Sequence, residues 1–131
     1  MLVSAVRSRR GASFRLLSLV GTERFEICLS VPLVLEYEDA LRRHAGDTGL
    51  TARDIAALLD YLCRVGLRQE VFFLWRPLLR DPKDDMVLEL AVAAQADAVV
   101  TFNLRDFEHA ALFGIPALRP RSFLEFIGEL P

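Results

Sequence analysis

Between Asp81 and Phe107 the chain reads "DPKDDMVLELAVAAQADAVVTFNLRDF", three carboxylates at the head of a segment that then turns almost wholly apolar. No other stretch constrains the fold as strongly. Asp81 suits an N-cap, Pro82 the first helical position and Asp84 the third, where a carboxylate favours the helix dipole. Capping therefore accounts for two of the three acids. Asp85 falls one residue further in and shares a helix face with Leu88, Glu89 and Val92. It is either a second-best capping residue or a group that a ligand requires. The helix predicted from about Asp84 to Gln95 is rich in alanine, which lets it lie close against a sheet, and "DAVVTF" after it reads as a strand.

The rest of the chain alternates in the same way. "GASFRLLSLVG" is a short amphipathic helix ended by Gly21, and "RFEICLS" contains a short strand from Phe25 to Leu29. Ser30 then caps the helix "VPLVLEYEDALRR", with proline in its first turn. "GDTG" breaks the chain before "TARDIAALLDYLCRVG", a helix opened by Thr51 with Asp54 three residues on and closed by Gly66. "EVFFLW" reads as a buried strand. The chain finishes with a small helix around Phe107 to Phe113, a short strand at "IPALR" and a last helix, "SFLEFIGEL". Apolar strands alternating with helices predict an α/β protein, a three-layer α/β/α domain with a mainly parallel sheet. At 131 residues, 1–131 is a single domain large enough to bury a core.

Composition narrows the function classes. With 53% apolar and 26% charged residues the chain is globular, and no apolar run spans a bilayer. The positive charges of "MLVSAVRSRRGAS" follow its apolar residues, the reverse of a secretory signal, so a cytoplasmic location is expected. Cys28 and Cys63 are lone thiols in apolar settings and read as reduced core residues, not as a disulfide or zinc site. The net charge of −2 announces no nucleic acid. Of the 16 basic residues other than histidine only Lys83 is lysine, a bias that a GC-rich genome also produces. Clusters at Arg7, Arg9 and Arg10, at Arg42 and Arg43, and at Arg119 and Arg121 form either solvated surface or a basic rim around an acidic site.

In a parallel α/β sheet, ligands bind in the crevice at the carboxyl edge of the strands. Glu36 lies less than two turns into the helix after "ICLS", Asp85 lies near the start of its own helix, and Asn103 and Asp106 follow "AVVT". All are predicted at that edge. Grouped carboxylates repel and raise one another's pKa, and the usual remedy is a divalent cation such as Mg²⁺ or Mn²⁺.

Three blocks, "LSVPLVLEYEDALRR", "RDPKDDMVLELAVAAQADAVVTFNLRDF" and "GIPALRPRSFLEFI", together resemble the PIN-domain family, and within it the VapC-like toxin components of bacterial toxin–antitoxin pairs. The resemblance covers nearly the whole chain. It implies a metal-dependent endoribonuclease that uses Mg²⁺ or Mn²⁺, with RNA as substrate and a cognate antitoxin protein as partner. A homodimer is left open, and no membrane partner is expected. Carried over by position, Glu36 matches the family's helix glutamate and Asp85 its third acid. Asn103 and Asp106 match the segment that supplies the fourth acidic site. Asn103 stands where an aspartate is common, so Asp106 is the better candidate for charge. The implied metal ligands are thus Glu36, Asp85 and Asp106, with Ser30 and Thr101 as supporting polar residues.

The resemblance also has a gap. The family begins with a strand ending in an aspartate, typically "LDTN", ahead of a segment like "VLVSALRSRRGAS"; this chain opens "MLVSAVRSRRGAS". The first strand and the first catalytic aspartate are therefore expected to be missing, through an internal start codon or a loss of catalysis. The alternative function is a catalytically inactive PIN-like module that binds antitoxin or RNA. A phosphoacceptor receiver domain also gathers acids at a sheet edge. Receivers place their acid pair after the first strand and a lysine after a later one, unlike this chain.

Overall fold

The computed structural model describes residues 11–71 and 82–129. Helix α1 (Ala12–Ser18) leads into β1 (Cys28–Leu29), α2 (Val31–Arg43), a single turn α3 (Ala45–Thr48) and α4 (Ala52–Val65). Strand β2 (Leu67–Arg68) follows, then α5 (Pro82–Ala93), β3 (Val99–Val100), a 3₁₀ segment (Leu104–Phe113), β4 (Ala117–Leu118) and α6 (Pro120–Phe126). The α/β class expected from the alternation holds, and both strand pairs are parallel, β1 with β2 and β3 with β4.

Local chemistry explains the helix boundaries. The Ser30 hydroxyl accepts from the Leu33 amide at 3.3 Å to start α2. Thr51 and Asp54 form a reciprocal capping box at the head of α4, at 2.9 and 3.1 Å. The Asp54 carboxyl is held below its usual range by the backbone and side chain of Thr51. Gly66 ends α4 in an extended conformation, φ −82°, so no left-handed turn requires glycine there. Close packing does: a Cβ at Gly66 would sit 2.8 Å from Leu29 Cδ1 and 2.8 Å from the Leu62 carbonyl oxygen. Gly66→Ala is therefore expected to destabilise the protein by about 1–3 kcal/mol, as overpacking does. The check is a lower urea midpoint at unchanged slope.

Several elements differ from expectation. The strand predicted from Phe25 to Leu29 pairs over Cys28 and Leu29 alone, with the Ile27 carbonyl accepting from Leu67 at 2.8 Å. Its partner β2 begins at Leu67, directly after α4. The strand predicted at "EVFFLW" lies mostly outside the described residues, as do Asp81, Arg7, Arg9, Arg10 and the opening "MLVSAV". "HAGDTG" contains a helical turn that Gly49 closes at φ 74°. The small helix near Phe107 is a 3₁₀ segment that starts at Leu104 and kinks at Phe107. The last helix starts earlier than expected, with Pro120 in its first turn.

Helix α5 is buried between the two halves and packs against α2, β1, β3 and the 3₁₀ segment. Leu88 and Ala91 join one core cluster with Val99, Phe107, Ala110 and Ile115. Leu90 belongs to another, with Leu29, Leu33 and Leu62. A helix that buries residues on more than one side needs small side chains to approach its neighbours, hence its alanines. Among the described residues no ladder joins the β1–β2 pair to the β3–β4 pair.

Cys28 and Cys63 are free and half-buried, as expected for core thiols. Burial, followed by the charges of Glu26 and Asp97, pushes the Cys28 thiol above its ordinary pKa, so it stays protonated and a poor nucleophile near neutrality. No helix among the described residues is long and apolar enough to cross a membrane.

Candidate active site

The ends of β1 and β3 carry the two small polar residues singled out above. Ser30 and Thr101 are both buried. Ser30 leaves β1 and caps α2, so its hydroxyl is committed to the helix start. Thr101 leaves β3; its amide donates to the Leu118 carbonyl at 2.8 Å and its hydroxyl accepts from the Asn103 amide at 3.0 Å. These bonds fix the turns out of both strands.

Glu36 stands on α2, six residues past Ser30, with its side chain 26% exposed. Arg43 Nη2 donates to its Oε1 at 3.3 Å, and Arg43 Nε also reaches Asp39 at 3.1 Å. Arg42 lies 3.7 Å from Glu38. Both arginines of the predicted Arg42–Arg43 rim are thus engaged by acids of their own helix. Exposed pairs of this kind contribute only about 0.2–1 kcal/mol, little enough for a phosphate to displace them. Arg121 pairs with Glu125 at 3.5 Å across one turn of α6.

Asp85 is the deepest of the predicted acids. It is 7% exposed in the first turn of α5, whereas Asp84 beside it is half-buried. One turn further along the same face Glu89 is 5% exposed, and both carboxylates interact within the chain. Two buried acids on one helix face are costly unless their charge is compensated. The sequence reading placed Glu89 on the face of Asp85 but gave it no role. The signal was available: it is the lone charge in the run "MVLELAVAA".

Asn103 is exposed and precedes the 3₁₀ segment without a side-chain cap. Asp106 is half-buried in that segment's first turn, its amide donating to the Asn103 carbonyl at 3.1 Å. The fold thus sets Ser30 and Thr101 at the ends of two parallel strands, with Asp85 on the helix packed against both. It does not bring Glu36, Asp85 and Asp106 into one cluster. Among the described residues no three acidic, histidine or cysteine side chains are grouped to hold a metal.

No curated protein and no solved structure matches the chain. The family model for the PIN domain matches residues 1–105. The matched span includes Ser30, Glu36, Asp85, Thr101 and Asn103 and ends one residue before Asp106. PIN domains have a three-layer α/β/α fold and are generally nucleases, typically using divalent metals. With most of its length matched, and with parallel strands packed against an acid-headed helix, this chain belongs to the PIN domain family.

Proposed function

We propose that the protein is a metal-dependent endoribonuclease that cleaves RNA phosphodiester bonds and serves as the toxin of a toxin–antitoxin pair. The observation that carries the nuclease reading is Asp85, a buried carboxylate at the head of the helix that packs against both strand pairs of a PIN domain. The toxin role and a cognate antitoxin as partner rest on the resemblance of the three sequence blocks.

The donor chemistry suits a hard cation. Mg²⁺ keeps several waters and is commonly held by one or two carboxylates plus substrate phosphate, so a three-acid cage is not required. Asp85 is the anchor in this reading, with Glu36 and Asp106 as further oxygen donors, direct or through water. A divalent cation bound there supplies Lewis acidity toward the phosphodiester. Ser30 and Thr101 hold the two turns in place. Arg43 orients Glu36 and releases it when a phosphate competes for the guanidinium. Asn103 offers an amide where a fourth charge would otherwise add repulsion. Single-stranded or looped RNA is the expected substrate form.

RNA cleavage is expected to vanish in EDTA, return with Mn²⁺ and fall at least about a hundredfold in Glu36→Gln. Cleavage that persists in EDTA and survives that substitution would defeat the mechanism. The absence of a three-acid group among the described residues favours a second reading, an inactive PIN-like module that binds antitoxin or RNA. That reading predicts RNA retention without cleavage at any Mn²⁺ concentration.

A further inference from the structure

A cavity of about 150 Å³ opens beside the entry to β1, away from the edge that carries Asp85. Val20, Phe25, Ile27 and Val65 supply its apolar lining, and Glu23 and Glu26 its acidic part. The wall is preformed. The Tyr61 hydroxyl donates to the Val20 carbonyl at 2.8 Å. Gly21, at φ 84°, leaves room for that hydroxyl, since a Cβ there would collide with it. Glu23 is held at φ 70°, a left-handed conformation rare for a residue with a side chain.

The acids at this cavity are open to solvent. Both glutamates are exposed, and among the described residues neither has an ion pair or side-chain hydrogen bond. Arg24 lies between them in sequence but is drawn away to Glu129, at 2.5 Å, and to the Ile127 carbonyl, at 3.4 Å.

Size excludes most ligands. Small-molecule pockets occupy roughly 300–1,000 Å³, so a nucleotide does not fit. One long side chain does. An apolar lining with a negative rim matches a residue with an aliphatic stem and a cationic head. Two carboxylates favour guanidinium, a planar group with five donors, over the compact ammonium of lysine. We propose that this cavity is the docking site for an arginine side chain of a partner protein. It is separate from the acids at the carboxyl edge and does not depend on nuclease activity.

The test titrates N-acetylarginine N-methylamide into the full chain labelled at its methyl groups, following Val20, Ile27 and Val65 by NMR. The citrulline analogue has nearly the same shape without the charge. Saturable shifts at those methyls are expected with the arginine probe, with at least about tenfold weaker binding of the citrulline probe. The double variant Glu23→Gln and Glu26→Gln should lose a similar factor; both residues are exposed and glutamine has nearly the same shape, so the fold is undisturbed. Raising salt to roughly 0.5 M should weaken binding severalfold. Equal binding of the two probes, equal binding by the double variant, or the absence of saturable shifts at these methyls would overturn the proposal.

Discussion

Asp85→Asn is expected to weaken Mg²⁺ or Mn²⁺ binding at least about tenfold and to abolish metal-dependent RNA cleavage, while Asp84→Asn leaves both near the parent values. The two aspartates are neighbours in the first turn of α5, so both feel the helix dipole. They differ in burial: Asp85 is 7% exposed and Asp84 is half-buried. A buried carboxylate meets a cation in a medium of low effective dielectric, where its charge counts for more than in water. Amide for carboxylate preserves shape and removes that charge. Loss of activity alone would not separate a ligand from a structural residue, because a buried group also supports the fold. The decisive readout is the rise in melting temperature on adding metal to each variant. A ligand that binds only the folded state stabilises it by RT ln(1 + [L]/Kd), about 2.7 kcal/mol at a hundred times Kd, and a tenfold loss of affinity removes roughly 1.4 kcal/mol of that. Asp85→Asn should lose at least about half of the metal-dependent rise whatever its metal-free melting temperature. Equal losses in the two variants would show that Asp85 is only one more capping acid.

That ambiguity explains how much of the site was legible. A carboxylate in the first turn of a helix has the same local signature whether it serves the dipole or a metal; burial separates the two, and burial is a property of the assembled fold. Glu89 shows the converse. Its place inside an apolar run made it visible, but its burial emerges only because α5 is packed from several sides. Elements governed by local chemistry were readable: the Ser30 cap, the Thr51–Asp54 box and the alternation of strand and helix. Pairing was not. The β2 strand at Leu67–Arg68 carries two exposed residues, no β-branched side chain and no alternation to mark it. It is extended because Leu67 and Gln69 find carbonyls at Ile27 and Leu29, forty residues away in the sequence. Gly66 is legible in the sequence as a helix terminator, but the packing that requires glycine there is not. The close approach of Leu29 cannot be inferred from neighbours in the sequence.

Joining a segment of the "VVLDTN" type to the N-terminus is expected to raise the melting temperature by at least about 10 °C and to increase metal-dependent RNA cleavage. The argument begins with the two separate strand pairs. In β1, Ile27 and Leu29 direct their carbonyls to β2, so the alternation of a parallel ladder turns the main-chain groups of Cys28 the other way. In β3, Val99 and Thr101 donate to β4, which turns those of Val100 away in the same sense. Helix α5 packs against both strands, so the two pairs share one covering helix. An extended segment between them would have backbone partners on both sides, where no ladder joins the two pairs among the described residues. The three apolar side chains of that segment would be buried, at roughly 1.5–3 kcal/mol each, or on the order of 5–9 kcal/mol before the cost of ordering the chain. Against a typical domain stability of about 5–15 kcal/mol, even a fraction of that sum is a large effect. The segment's aspartate would end beside Ser30 and Thr101, adding a carboxylate where the described residues lack a group of three. Changing it to asparagine should therefore keep the added stability and lose the added cleavage, which separates the structural contribution of the segment from its chemical one. A chain that melts cooperatively at an ordinary temperature and gains neither stability nor activity from the extension would mean that the place between β1 and β3 is already filled.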